Sequence, residues 1–488
     1  MFKIRWDFAW GIFITVIFLT LLTIRLEFFH KTPETVTIEQ IPATLKTQDT
    51  WMNIYQNNKK IGVAHRIFTA GEKGYTFSET VFMQINTMGV TQVLNILTEG
   101  NLNPDMTISS FNFDLNSSLF HFQARGSIVK DKLILFAGLP GARERSEIKL
   151  KDIPYMSGSI YEAAFRANLE KDISRSFSIF DPSTLGKRFV KVTRNADEVI
   201  PITGKRILTQ KYCADFMGAK NYAWLDKNGD VLKETGILGL SLEKVSAQKA
   251  QEGISTGSTI DLTQIASVPF NVKITDPEKL NEIKIKISGV SETSLFLDGD
   301  RQSLHHDVLT ITKEQLPALQ TLSNIPPEKI AVFLTPSPLI QSNHAQIKAQ
   351  VKRIIKPTDT TVQKAKKIVN WVYRYVEKKP VLSVPNALEV LKNRVGDCNE
   401  HAVLTTAMLR AAGIPAQIET GLVYQRERFY YHAWNIIYLG RWITADAVFN
   451  QFPADVTHIR LVRGEGNEQL DLMGVLGKIK LEALEQEE

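Results

Sequence analysis

The stretch RVGDCNEHAVLTTAMLRAAGIPA, residues 394–416, decides how this chain is read. Ala402, Leu404, Thr405, Met408, Leu409 and Ala412 form an alanine-rich apolar helical face. Gly413, Ile414 and Pro415 end it with a C-terminal glycine and a following proline. Gly396 reads as loop and Asp397 as the N-cap. Cys398 therefore falls in the first helical turn, where free backbone N–H groups and the helix dipole favour a negative charge. The same donors can hold the oxyanion of a tetrahedral intermediate.

A thiol attacks as thiolate, so it needs a base within hydrogen-bond reach and a third group to orient that base. The chain offers His432 in YYHAWN and Asp446 in WITADAVF. Phe429–Ile437 and Arg441–Val448 read as two strands. A two-residue loop between them would set His432 opposite Ala447. A three-residue loop, Tyr438-Leu439-Gly440, makes positions 432 and 446 direct cross-strand neighbours on one face, with Gly440 in the left-handed position. Trp434 shares the face of His432 and would wall the site from water.

Each residue also has a plainer reading. A cysteine at a helix start is by itself most often a small buried hydrophobe, and only its company with His432 and Asp446 favours catalysis. Asp397 and His401 are the candidates for supporting the site. His401 with Cys398 could be half a metal site, but no Cys-x-x-Cys or His pair completes it, so neither metal nor cofactor is expected. Asn399 and Glu400 read as a solvated first turn. His305, His306, His344 and His458 stand in polar contexts and read as surface residues.

The run from Ile340 to Arg463 resembles the transglutaminase-like superfamily of papain-fold thiol enzymes. It carries KKIVNWVYRYV, then Gly-Asp-Cys, Leu-Arg-x-x-Gly-Ile-Pro, His-Ala-Trp and Trp-x-x-x-Asp in the family's order, with Ala447 where relatives often have proline. The resemblance implies Cys398 as nucleophile, His432 as general base and Asp446 as the orienting carboxylate. It also implies a papain-like domain, a helical part with an antiparallel sheet, acting on peptide or glutamine-amide bonds of proteins and peptides. Calcium, used by some relatives, has no visible loop motif here.

A length of 488 residues calls for two to four domains. The net charge of +6 is small, and its lysines are scattered without an interleaved aromatic surface, which excludes a nucleic-acid reading. Phe8–Ile24, FAWGIFITVIFLTLLTI, is an unbroken apolar run with Lys3 and Arg5 before it and no small-residue cleavage site after it. It reads as an uncleaved signal anchor, a single membrane pass with the bulk of the chain exported. The expected organisation is an anchor over 1–30, a stalk over 31–50 and a β-rich domain over 51–246, with hairpin turn Asn228-Gly229. A small β domain follows over 259–336, with strands FNVKITD, KIKISGV and DVLTIT. The thiol domain covers 340–463, and an amphipathic helix with an acidic tail covers 464–488. The fold class is α+β. Cys213 and Cys398 are expected to stay unpaired. The function expected is a membrane-anchored thiol acyl transferase: protease, amidase or transamidase. The competing reading is a catalytically silent scaffold of the cell envelope. Nothing in the sequence fixes an oligomeric state.

Overall fold

The computed structural model describes residues 47–118, 120–139, 142–216, 219–253, 261–290, 295–317, 327–381, 384–465 and 471–487. The signal anchor and most of the stalk lie outside them. Among the described residues no helix is long and apolar enough to cross a membrane.

Gln48–Gln56, Lys59–Gly71, Gly74–Thr87 and Val90–Leu102 open an antiparallel meander that continues through Ile108–Ser117, His121–Val129, Lys132–Leu139 and Ala142–Lys149. A short helix, Ile160–Arg166, interrupts it. Ser174–Asp181, Gly186–Arg194, Lys205–Phe216, Ala219–Leu225, Val231–Thr235 and Leu240–Val245 follow, and the last pairs back onto Gln48–Gln56; with the short Tyr155–Met156 and Glu198–Ile202 the sheet has 16 strands among the described residues. Buried and exposed positions alternate along the strands, as in Lys59–Gly71, so one face is apolar. Phe77, Phe122 and Leu135 of the first half share a single core with Val190, Tyr212 and Leu225 of the second. The sheet therefore curls around its own apolar face. The expected hairpin lies at Ala219–Leu225 and Val231–Thr235, with Gly229 at positive φ in its turn.

The small β domain is built differently from expectation. Glu282–Ser288, Val308–Thr312 and Gln302–His305 pair as strands, but the described fourth strand is the C-terminal Lys480–Glu487. Phe270–Asp276 forms bends and no strand. The C-terminal stretch, expected as an amphipathic helix, is a single turn at Asp471–Gly474 followed by that strand. Leucine, alanine and glutamate favour a helix locally, but the partner strand EIKIKIS alternates lysine and isoleucine. Lys286 faces Glu482, Lys284 pairs with Glu485, and Leu481 joins Ile283 and Ile285 in the core. Tertiary pairing of alternating charge and burial outweighs weak helix propensity.

The C-terminal domain is α+β. Helices Ala345–Ile354, Thr361–Tyr375, Ala387–Asn393 and Cys398–Ala411 pack on a five-stranded sheet. In it Arg428–Tyr438 pairs with Ala416–Gln425, with Trp442–Ala445 and with Val268–Pro269, and Ile459–Arg463 pairs with Ala416–Gln425. Leu404 and Met408 of the last helix meet Val369, Val372, Ile437 and Ile443 in one core. The opposite face of the sheet shares a core with the small β domain. Val384, in the segment entering Ala387–Asn393, belongs to the core of the large sheet, and Gln92 donates to the Pro380 carbonyl at 3.1 Å.

The hairpin that carries the predicted base and acid departs from its expected register. Tyr438 pairs with Trp442, so the loop is Leu439–Arg441, with Gly440 at φ 90°. Asp446 thus stands in line with Trp434 and diagonal to His432. The shift is two residues, one full pleat repeat, so both side chains keep their common face.

Candidate active site

The helix Cys398–Ala411 begins in a capping box. Asp397 accepts from the Asn399 N–H at 3.1 Å and from the Glu400 N–H, while Glu400 Oε2 accepts from the Asp397 N–H at 2.9 Å. The His401 N–H donates to the Asp397 carbonyl. Among the described residues this leaves the Cys398 N–H as the first-turn donor without an acceptor. Glu400 is buried beside Gly396, where a Cβ would sit 2.3 Å from that of Glu400, so only glycine fits. The solvated first turn expected for Glu400 is corrected accordingly: the carboxylate is turned inward as a cap. His401, a candidate for supporting the site, is fully buried, with Nδ1 on the Asp397 carbonyl at 2.6 Å.

Cys398 is half-buried, and the Ala433 N–H, adjacent to His432, favours its thiolate form. Strand and helix are clamped by Asn435, which is wholly buried and donates to the Ala402 carbonyl at 2.9 Å and to Thr406 Oγ1 at 2.7 Å. His432 Nε2 lies 2.6 Å from Asp446 Oδ2, and Nδ1 has no hydrogen-bond partner among the described residues. Asp446 Oδ1 accepts the Val448 and Phe449 N–H groups at 2.5 and 3.2 Å. Trp434 is buried on the face of His432, its ring nearly parallel at 6.1 Å, and its Nε1 donates to Glu419 at 2.9 Å. Phe449 lies 5.2 Å from His432 on another side.

His458, read from sequence as a surface residue, is completely buried. Its Nε2 lies 3.0 Å from Asp446 Oδ2, the same oxygen that His432 contacts, and its Nδ1 lies 3.2 Å from Asp455 Oδ1. Spacing could not reveal this, because the chain between Asp446 and His458 turns back through an Asp446–Gln451 bridge before it re-enters the sheet. Asn435, Glu419 and Asp455 were equally hidden. Each is a polar residue in an apolar pattern, a signal that marks burial without naming the partner.

At Cys398 the electrostatics set burial against the favourable helix start. Burial, and then the Asp397 carboxylate, push the Cys398 thiol well up from its ordinary value, against the single Ala433 N–H. Burial and the neighbouring Glu400 likewise hold Asp397 well above the usual carboxylate range. Asp446 goes the other way. Burial would raise it, but His432 and His458 hold it far below that range. Burial would also lower His458, yet Asp455 and Asp446 raise it to about 9.

His432, Asp446 and His458 bring three ligand atoms within 4.8 Å of one another. A metal fits poorly. It would have to break both imidazole–carboxylate contacts, and His458 would have to give up a proton that two carboxylates stabilise.

Residues 348–447, which include Cys398, His432 and Asp446, match the transglutaminase-like superfamily. None of the curated proteins matches the chain. Among solved structures, similarity extends to a proposed cysteine protease from Cytophaga hutchinsonii, at 18% identity over 41% of this chain and 83% of that one, with a TM-score of 0.27. A β-barrel-like protein of a domain of unknown function from Brucella abortus is similar at 13% identity, over 42% and 98%, with a TM-score of 0.33. A proposed protease from Parabacteroides distasonis is similar at 11% identity, over 48% and 63%, with a TM-score of 0.20. At such TM-scores the likeness carries no functional statement.

Proposed function

Because residues 348–447 are a transglutaminase-like domain, we propose that this chain is a thiol acyl-transfer enzyme acting on peptide or glutamine-amide bonds of proteins or peptides. The observation that carries the reading is the arrangement around His432. Its Nε2 is held by Asp446 at 2.6 Å, its Nδ1 has no partner among the described residues, and the N–H of the next residue favours the Cys398 thiolate.

Since burial keeps the resting thiol neutral, the Cys398 proton passes to His432 Nδ1 as the sulfur attacks the carbonyl carbon. The carbonyl π electrons move to oxygen, and the Cys398 N–H is the backbone donor for the resulting oxyanion. Collapse breaks the C–N bond, and the amine leaves with the proton from His432. Water or a second amine then attacks the thioester, gives its proton to His432, and the sulfur departs and recovers it. Water makes the enzyme a protease or amidase; an amine makes it a transamidase. Asp446 keeps the proton of the resting His432 on Nε2. We further place the apolar run 8–24 in a membrane, with the bulk of the chain exported, on its length and flanking charge.

The test is iodoacetamide alkylation near neutral pH, read by mass spectrometry for wild type and His432→Ala, with Cys213 as internal reference. Alkylation of Cys398 should slow at least about tenfold without the base. Equal rates refute the Cys398–His432 pair and leave the scaffold reading. Retention of the full chain in alkaline-washed membranes, with protease accessibility from the exported side, checks the anchor.

A further inference from the structure

His458 and Asp455 have no place in that proton path, yet they enclose its terminal carboxylate. We propose that His458 is a positioning residue for His432: a cationic imidazole, held by Asp455, that fixes the Asp446 carboxylate, offsets its charge and thereby sets the tautomer and basicity of His432. This rests on the thiol-enzyme reading above.

The argument is one of donors and acceptors. Both imidazoles address Asp446 Oδ2, at 2.6 and 3.0 Å, while Oδ1 is occupied by two backbone N–H groups. An ionised carboxylate only accepts, so each ring presents an N–H to it. The other nitrogen of His458 meets a second acceptor, Asp455 Oδ1, at 3.2 Å. It too must carry its proton, and a doubly protonated ring is a cation. Asp455 is held in turn by the Thr457 N–H and Oγ1 at 2.8 and 2.6 Å and by Gln451 Nε2 at 2.8 Å. Arg301 pins the backbone, donating to the Ala454 and His458 carbonyls at 2.7 and 3.1 Å.

The titratable groups that face His458 are therefore Asp446, Asp455 and His432, with the Trp434 and Phe449 rings edge-on. Those that bear on Cys398 are Asp397, Glu400 and Asp446. The His458 and His432 ring centres are 5.9 Å apart, with wholly buried Asp446 between them. A bare carboxylate at that place would hold the proton on His432 tightly and hinder its return to the leaving amine. The added cation counters this.

The test is the pH profile of Cys398 alkylation, from about pH 5 to 10, in the full chain and in His458→Gln. Glutamine still donates to Asp446 but carries no charge. Loss of a cation makes thiolate harder to form and imidazolium harder to deprotonate. Both limbs should therefore move up, by roughly one pH unit. Asp455→Asn keeps the imidazole and removes the charge that stabilises its second proton; it should shift the profile in the same direction by less. Profiles of both variants that superimpose on wild type overturn the inference and leave His458 a packing residue. If His458→Gln does not fold, the Asp455→Asn profile decides by the same criterion. His432→Ala in the same series separates the two levels. Indifference of wild-type Cys398 to that change sinks the thiol-enzyme reading and this inference with it, whereas dependence on His432 with unshifted profiles sinks the inference alone.

Discussion

Replacing Asp446 by asparagine changes one oxygen into an NH2 group and little else in volume. The carboxylate takes four donors: the Val448 and Phe449 N–H groups on Oδ1, and two imidazole N–H groups on Oδ2. Asparagine satisfies the backbone pair only by keeping its carbonyl there. Its NH2 group then faces both imidazoles and needs lone pairs from them. His432 must move its proton from Nε2 to Nδ1, the nitrogen left for Cys398, and so cannot accept from the thiol. A wrong-tautomer base of this kind lowers turnover about 10^4-fold, a barrier increase of about 5 kcal/mol. The variant also removes the carboxylate that pairs with His458, for which about 3 kcal/mol of stability is lost. The assay is release of nitrophenol from a small activated ester by Cys398, with thermal unfolding as the control. Wild type should acylate rapidly, and Asp446→Asn should fall to the level of Cys398→Ala while keeping a cooperative transition. A folded Asp446→Asn that retains more than about a tenth of the wild-type rate refutes the tautomer argument.

Asn435→Ala deletes the two bonds from Nδ2 to Ala402 and Thr406 that tie the His432 strand to the Cys398 helix. It should lower stability by about 2 kcal/mol and slow acylation more than this loss explains, as measured by unfolding and ester turnover on the same preparation. An unchanged rate with lowered stability would show that the clamp is structural only. Stability should also fall between near-neutral and alkaline pH. His458 is raised to about 9 in the fold, so its contribution is complete below its unfolded value of about 6.5 and is lost as pH climbs through 9. The unfolding temperature of His458→Gln should show a flatter decline over that window than wild type.

The local frame of the candidate site was legible where it follows local order. Asp397 and Gly413 bracket the helix as caps, and Gly413 takes φ 78° where a helix end needs the left-handed region. His432 and Asp446 share a face because strand periodicity is two, which survived a register shifted by one full repeat. The C-terminal strand was not legible. LEALEQEE suits a helix in isolation, and only the lysine–isoleucine alternation of Glu282–Ser288, about two hundred residues earlier, draws it into a sheet.

Residue type, spacing and caps thus determined by themselves which three side chains could form a thiol site, and that one long β-rich region precedes them. The tertiary structure alone decided what surrounds those side chains. His458, Asp455, Asn435 and Glu419 are polar groups whose burial depends on partners from other strands and helices. Local sequence cannot rank those partners, because an unpaired buried donor or charge is costly and the same residue in water is not. The same reasoning accounts for the thiol. A helix start invites a thiolate, but burial and then the acidic cap raise Cys398 again, and that balance exists only once the chain has folded.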